Sequence, residues 1–200
     1  MATMMGRLED SDMDQLEQWL GTGPKTFTLL FSATRDGCST ATFHQKCDNK
    51  GPTVTVLYNP QGSVYGGYTG QSWEASTNGK YINDSTAFLY QLKFSGNEQR
   101  TKFPIVDSNN AIYSYNGHGP NFGDSALFRT FKNSIAPLNG VYALNGSTKL
   151  NDGSYRVSNV SPKVKSWNDI NNGNLDVTEL EVYKVTGKII QPIIRLKFNN

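Results

Sequence analysis

The stretch TFTLLFSATRDGCSTATFHQKCDNKGPTVTVLY, residues 26–58, changes its periodicity twice, and its reading decides the fold. Its ends, Thr26–Ser32 and Thr53–Tyr58, are rich in β-branched and aromatic residues, the composition of half-buried strands. Between them Asp36-Gly37 reads as a turn and Ser39 as a helix cap. Phe43 and Cys47, four residues apart, form the inner face of a short helix that stops at Gly51-Pro52.

Working outward, AFLYQLKF (87–94) alternates so that Phe88, Tyr90, Leu92 and Phe94 share one face. Further strands are predicted at 64–68, 111–115, 125–131, 154–160, 179–185 and 192–198. Asn139-Gly140, Asn145-Gly146, Asp152-Gly153 and Asn172-Gly173 accept positive φ and so favour tight reversals. Many short strands joined by close turns predict a mostly β chain with flanking helices (α+β), built as a two-sheet antiparallel β-sandwich. Ahead of it a helix is expected, capped by Ser11 and stopped by Gly21 and Pro24. Asp12 and Asp14 sit at its positive end, and Met13, Leu16, Trp19 and Leu20 form its apolar stripe.

Composition narrows the function. With 19 Lys and Arg against 17 Asp and Glu, the chain lacks the basic footprint of a nucleic-acid binder. No run approaches the length of a membrane span and the first ten residues lack a signal-peptide core, so a cytoplasmic protein without a transmembrane segment is expected. No phosphate-binding Gly-Lys loop occurs, so no GTPase activity is expected of these residues.

Cys38, His44 and Cys47 invite a catalytic or metal-binding reading, which the helix argues against. Cys47 should point inward, Cys38 should lie at the helix edge, and nothing near His44 is seen to orient its imidazole. The expectation is two thiols and no catalytic set, metal or cofactor. A weak calcium candidate is Asn168, Asn172 and Glu179 around Gly173, spoiled by Ile170 at the third ligand place.

The run FTLLFSATRDGCSTATFHQKCDNKGPTVTVLYNPQGSVYGGYTGQSWEAS resembles the TLDc domain of the oxidation-resistance proteins. Its marks are Arg35-Asp36-Gly37, Phe43-His44 with Cys47-Asp48, Gly51-Pro52-Thr53, and Tyr65-Gly66-Gly67-Tyr68 before Trp73. GHGPNFG (117–123) and LDVTELEVYKV extend the likeness downstream. The chain is also similar to the N-terminal part of the interferon-induced 44 family, notably in GPTVTVLY. On this basis residues 25–186 are expected to form the TLDc domain. Residues 1–24 would give a helix packed on it, and 187–200 a closing strand or the start of a following segment.

The resemblance implies a protein-interaction module that binds the peripheral stalk and catalytic head of the vacuolar proton-pumping ATPase, with a role in oxidative-stress resistance or innate immunity. Two alternatives are a regulatory N-terminal domain of an interferon-induced-44-like GTPase and a thiol-based antioxidant enzyme acting through Cys47 or Cys38. Candidate exposed partner-binding residues are Arg35, Asp36, Gly66, Gly67, Trp73 and Glu74.

Overall fold

A computed structural model describes residues 6–124, 128–149 and 153–188. The chain begins with α1 (Asp10–Leu20), β1 (Lys25–Ser32), α2 (Ala33–Asp36), β2 (Cys38–Ser39) and α3 (Thr40–Cys47). Next come β3 (Thr53–Tyr58), β4 (Val64–Thr69), β5 (Lys80–Ile82), β6 (Phe88–Phe94), β7 (Asn97–Pro104) and, after a 3-10 turn at Ser108–Asn110, β8 (Ile112–Ser114). Short strands follow: β9 (Asn121–Phe122), β10 (Phe128–Arg129), β11 (Ser134–Ile135), β12 (Tyr142–Ala143) and β13 (Ser147–Thr148). The described chain closes with α4 (Asn168–Asn171), β14 (Asp176–Val177) and β15 (Glu179–Gly187).

The expected mostly β, antiparallel architecture is present. A six-stranded sheet runs β1-β15-β3-β4-β6-β7, a five-stranded sheet runs β13-β10-β9-β8-β5, and two small ribbons pair β11 with β2 and β12 with β14. Leu57, Tyr65, Leu89 and Phe103 of the large sheet share one core with Ile112, Phe122 and Phe128 of the smaller. An aromatic chain crosses this core from Phe31 through Phe43, Trp73, Phe122 and Phe128 to Trp167, each step being 5.0–6.1 Å between ring centres. Period-2 alternation sends Leu180 and Val182 of β15 into that core and Tyr183 and Val185 to the opposite face.

Helix α1 covers that opposite face. Leu16 is fully buried, with Met13, Trp19 and Leu20 packed beside it on Val54, Val56, Tyr68, Phe88 and Tyr90. Its cap differs from the sequence expectation: Glu9 occupies the cap position with no side-chain bond, and Ser11 lies inside the helix. Asp12 is 2% exposed and sits under the helix, away from solvent. Gly21, at φ 66°, ends α1 by donating to the Glu17 carbonyl.

The strands predicted at 26–32, 53–58, 64–68, 111–115 and 179–185 are found within a residue or two, and Phe88–Phe94 is matched by β6. The one predicted at 154–160 is not a strand. Tyr155 makes a single bridge to Ile105 and sends its hydroxyl to the Ala111 carbonyl, while Ser154 is tied to Asp124. Strand 125–131 is described only from Phe128 onward, and 192–198, like most of 187–200, lies outside the described residues.

Candidate functional site: a polar cleft at the Arg35–Asp36 turn

β1 ends at Ser32, and the chain turns through α2 before β2. Ser32 Oγ caps this turn by accepting from Arg35 N at 3.3 Å, and Asp36 Oδ2 accepts from Ser32 N at 3.0 Å. Arg35 grips Asp36 through Nε at 2.8 Å and a terminal nitrogen at 2.6 Å, and donates to the Leu30 carbonyl at 2.8 Å. Burial works against the Asp36 carboxylate, but the Arg35 and Ser32 donors outweigh it and hold its pKa below the usual value.

The turn is pinned to β15 by a second carboxylate. Glu179, 2% exposed, accepts from Ser32 Oγ at 2.9 Å, from Thr34 N at 3.1 Å and from Thr34 Oγ1. Two residues on, and so on the same face, Glu181 accepts from Arg7 N at 2.9 and 3.1 Å and from the Tyr183 hydroxyl at 2.6 Å. Arg7, Leu29, Ser32, Thr34, Arg35, Glu179 and Glu181 line a cleft of about 210 Å³. Glu181, like Glu179, is 2% exposed, and the oxygens of both are taken by these donors, so Arg7 and Arg35 are the exposed charges of the cleft.

Arg35 is exposed, Asp36 is half-buried and bonded to Arg35, and Glu74 is half-buried and paired to Lys80 at 2.6 Å. The other three candidates are not on the surface, which corrects the expectation of exposure. Trp73 is 1% exposed, packs on Phe43 and Phe122, and donates Nε1–H to Thr53 Oγ1 at 2.9 Å. Gly66 and Gly67 are buried in β4 on opposite faces. A Cβ on Gly66 would fall inside the contact distance of the Thr55 carbonyl oxygen, and one on Gly67 would lie 2.7 Å from the Phe122 ring. They are glycines because the fold leaves no room, and the register break in this strand lies at Val64/Tyr65, not at the glycines.

The calcium candidates are not brought together. Asn168 opens α4, and Asn172 Oδ1 is taken by Asn59 Nδ2 at 2.8 Å and Ser63 Oγ at 2.7 Å. Glu179 is committed to Ser32 and Thr34. Among the described residues no group of three or more His, Cys, Asp or Glu side chains is placed to hold a metal ion.

Both thiols are interior. Cys47 is fully buried, and its pKa is raised, first by burial. Cys38 does not lie on an open helix edge: it is 3% exposed, paired in β2 with Ile135, and pushed up to about 12 by burial and then by Glu179. Nothing here generates a thiolate nucleophile.

His44 departs from the expectation of an unoriented imidazole. Its Nδ1 meets Asp48 Oδ1 at 2.7 Å, and its Nε2 meets the carbonyls of Tyr115 at 2.9 Å and His118 at 3.1 Å. Both nitrogens therefore face acceptors only, which calls for a proton on each. Burial opposes the charge, yet the Asp48 bond and charge and the two carbonyls prevail, so the His44 pKa is raised. The readable signal was Asp48 at i+4. His44 clamps α3 to the 115–118 loop through both ring nitrogens, so neither is free to act as a base.

The class is set by the family match: the chain belongs to the TLDc family, whose domain model matches residues 8–186. Helix α1 falls inside the matched span. Among curated proteins it is 33% identical over 64 residues to the MTOR-associated protein MEAK7 of Danio rerio, covering 32% of this chain and 14% of the relative. It is 31% identical over 97 residues to the MTOR-associated protein MEAK7 of Gallus gallus, covering 47% of this chain and 17% of the relative. The matched stretches are thus a small part of those proteins' length. Among the described residues no helix is long and apolar enough to cross a membrane.

Proposed function

We propose that this chain is a non-enzymatic TLDc interaction module of the cytoplasm. It binds the soluble sector of the vacuolar proton-pumping ATPase, at its peripheral stalk and head, and regulates assembly or pumping in oxidative-stress resistance or innate immunity. The observation that carries the reading is the family match over residues 8–186. It is supported by a surface cleft whose donors and acceptors are already fixed by the fold, and by two thiols that burial keeps protonated. The contact centres on Arg35 and Asp36, with Glu74 as a second surface determinant.

The test is capture of purified vacuolar ATPase from the same source, read together with proton pumping. Arg35→Glu and Glu74→Lys should each weaken capture. Arg35→Glu also removes the bonds to Asp36 and Leu30 and should cost about 1–3 kcal/mol, and Glu74→Lys loses the pairing with Lys80 at about 0.5–1 kcal/mol, so circular dichroism checks that each variant is folded. A folded chain that fails to bind at micromolar concentration sinks the ATPase reading. The relatives' association with MTOR supports a second reading, a module within a signalling assembly. It is favoured if the same chain captures such an assembly in place of the ATPase.

A further inference from the structure

Among the described residues the large sheet has two edges, and they are built differently. β7, at one end, carries Glu98, Arg100 and Lys102 and finishes on Pro104, the charges and proline that protect an edge from pairing. β1, at the other, reads KTFTLLFS, with Lys25 as its one charge.

Which of its backbone groups face outward follows from its partner. Phe27 lies opposite Val185, whose N–H points the other way, to the Pro52 carbonyl at 2.9 Å. Phe27 and Val185 therefore do not exchange hydrogen bonds, so the N–H and C=O of Phe27 point to the open edge. Alternation assigns the same direction to Lys25 and Leu29. Lys25 agrees independently: its N–H leaves the sheet to reach Glu17 Oε2 at 2.6 Å. Beyond Leu29 the register shifts, and the Leu30 carbonyl is taken by Arg35.

Beside this edge runs a groove of about 570 Å³ between α1 and β1. One wall is Asp10, Asp14 and Glu17, a stripe of α1 at i, i+4 and i+7; Met13, Lys25, Thr26, Phe27 and Lys188 complete the lining. Lys25 Nζ is held at the start of the strand by the carbonyls of Thr22 and Gly23, and with Lys25 and Lys188 set against three carboxylates the groove keeps a net negative charge. The helix turns back into the strand within Gly21–Pro24. A four-residue step along a helix, about 6 Å, nearly equals a two-residue step along a strand, about 6.8 Å. Two alternate side chains of an added strand would therefore meet Asp10 and Asp14, while Glu17 is already bonded to Lys25 N.

We infer that the β1 edge is a docking site for an extended protein segment with basic side chains at alternate positions, which joins the sheet as an additional strand. This rests on the interaction-module reading and names the kind of segment such a module would take. A second copy of this chain is the wrong occupant, because pairing two β1 edges would bring two acidic stripes together.

The experiment is hydrogen exchange on the full chain with a short blocked peptide alternating lysine and valine. In the free chain the Phe27 and Leu29 amides should exchange fast, and Thr26 and Thr28, bonded to β15, slowly. Saturating peptide should slow Phe27 and Leu29 by about tenfold or more. Asp10→Asn with Asp14→Asn should weaken the peptide about five- to tenfold, and salt should weaken it further. Glutamate–valine and alternately N-methylated versions should not bind.

The inference falls if millimolar peptide leaves both amides unprotected, or if the glutamate version binds equally. It falls too if the amides are protected in the free chain at every concentration, which means the edge is already filled. Protection that grows with chain concentration alone would assign the edge to a second copy. ATPase capture is measured in parallel: capture with an unresponsive edge sinks this inference alone, and a responsive edge without capture sinks the ATPase reading alone.

Discussion

Gly66→Ala isolates one constraint at the centre of the large sheet. β4 is flanked by β3 and β6, and the added methyl would press on the Thr55 carbonyl oxygen, a backbone atom of an interior strand. It would also meet the Tyr90 hydroxyl at 2.9 Å, which donates to that same carbonyl at 2.7 Å. Overpacking costs about 1–3 kcal/mol, and a buried hydroxyl and carbonyl left unpaired cost about 1–3 kcal/mol more, for a sum of about 4 kcal/mol. For a domain of this size that is a fall in Tm of about 8–16 °C. Gly67→Ala instead meets the tips of the Phe122 and Leu89 side chains, which can yield, and should cost about 1–3 kcal/mol. Urea unfolding followed by tryptophan fluorescence, with calorimetry for Tm, measures both. Gly66→Ala combined with Tyr90→Phe should recover little, because the backbone clash remains. Full recovery, or a Gly66→Ala chain within about 1 kcal/mol of the parent, refutes the argument.

The remaining expectations concern titratable groups. Cys38 and Cys47 should both react with a thiol reagent far more slowly in the native chain than in denaturant, and rapid native labelling of either would restore the thiol-enzyme alternative. The pKa of His44, followed by NMR, should lie above 6.5 and drop in Asp48→Asn. His118 goes the opposite way: burial, then Arg129, Lys132 and His44, push it down to about 4. The His44 contribution to stability is thus complete below 6.5 and lost as pH rises through its folded value. The His118 contribution is present above 6.5 and lost as pH falls toward about 4. Unfolding of the parent, Asp48→Asn and His118→Gln across this range should show the two slopes separately; a flat profile in all three would contradict both assignments.

What was legible in the sequence was whatever obeys a local rule. Thr53–Tyr58 and Phe88–Phe94 alternate or run apolar because they are buried strands, and Ser39 caps α3 by accepting from Thr42 N at 3.1 Å. β7 was hidden because an edge strand with polar residues looks like a loop, although Ser95 and Gly96, at φ 49° and 80°, form the tight turn that starts it. The cleft was half legible. Arg35-Asp36-Gly37 is a local turn, but Glu179 meets Ser32 only because β15 pairs with β1, and no spacing rule reaches across that distance. Trp73, Gly66 and Gly67 stood out by type and were assigned to the surface, whereas the same residue types also solve packing problems inside.

The position of β15 has a consequence for how the chain is made. The last described strand is inserted between the first and the second of the large sheet, with Lys25 opposite Gly187 and Glu179 opposite Tyr58. During synthesis β1 leaves the ribosome early and has no neighbour in the finished sheet until residues 179–187 follow. Such non-local closure is slow and leaves the apolar β1 unpaired in the meantime. A message truncated before Glu179 would yield a chain whose first strand never finds its place, so such stops should surface as aggregates or degraded product.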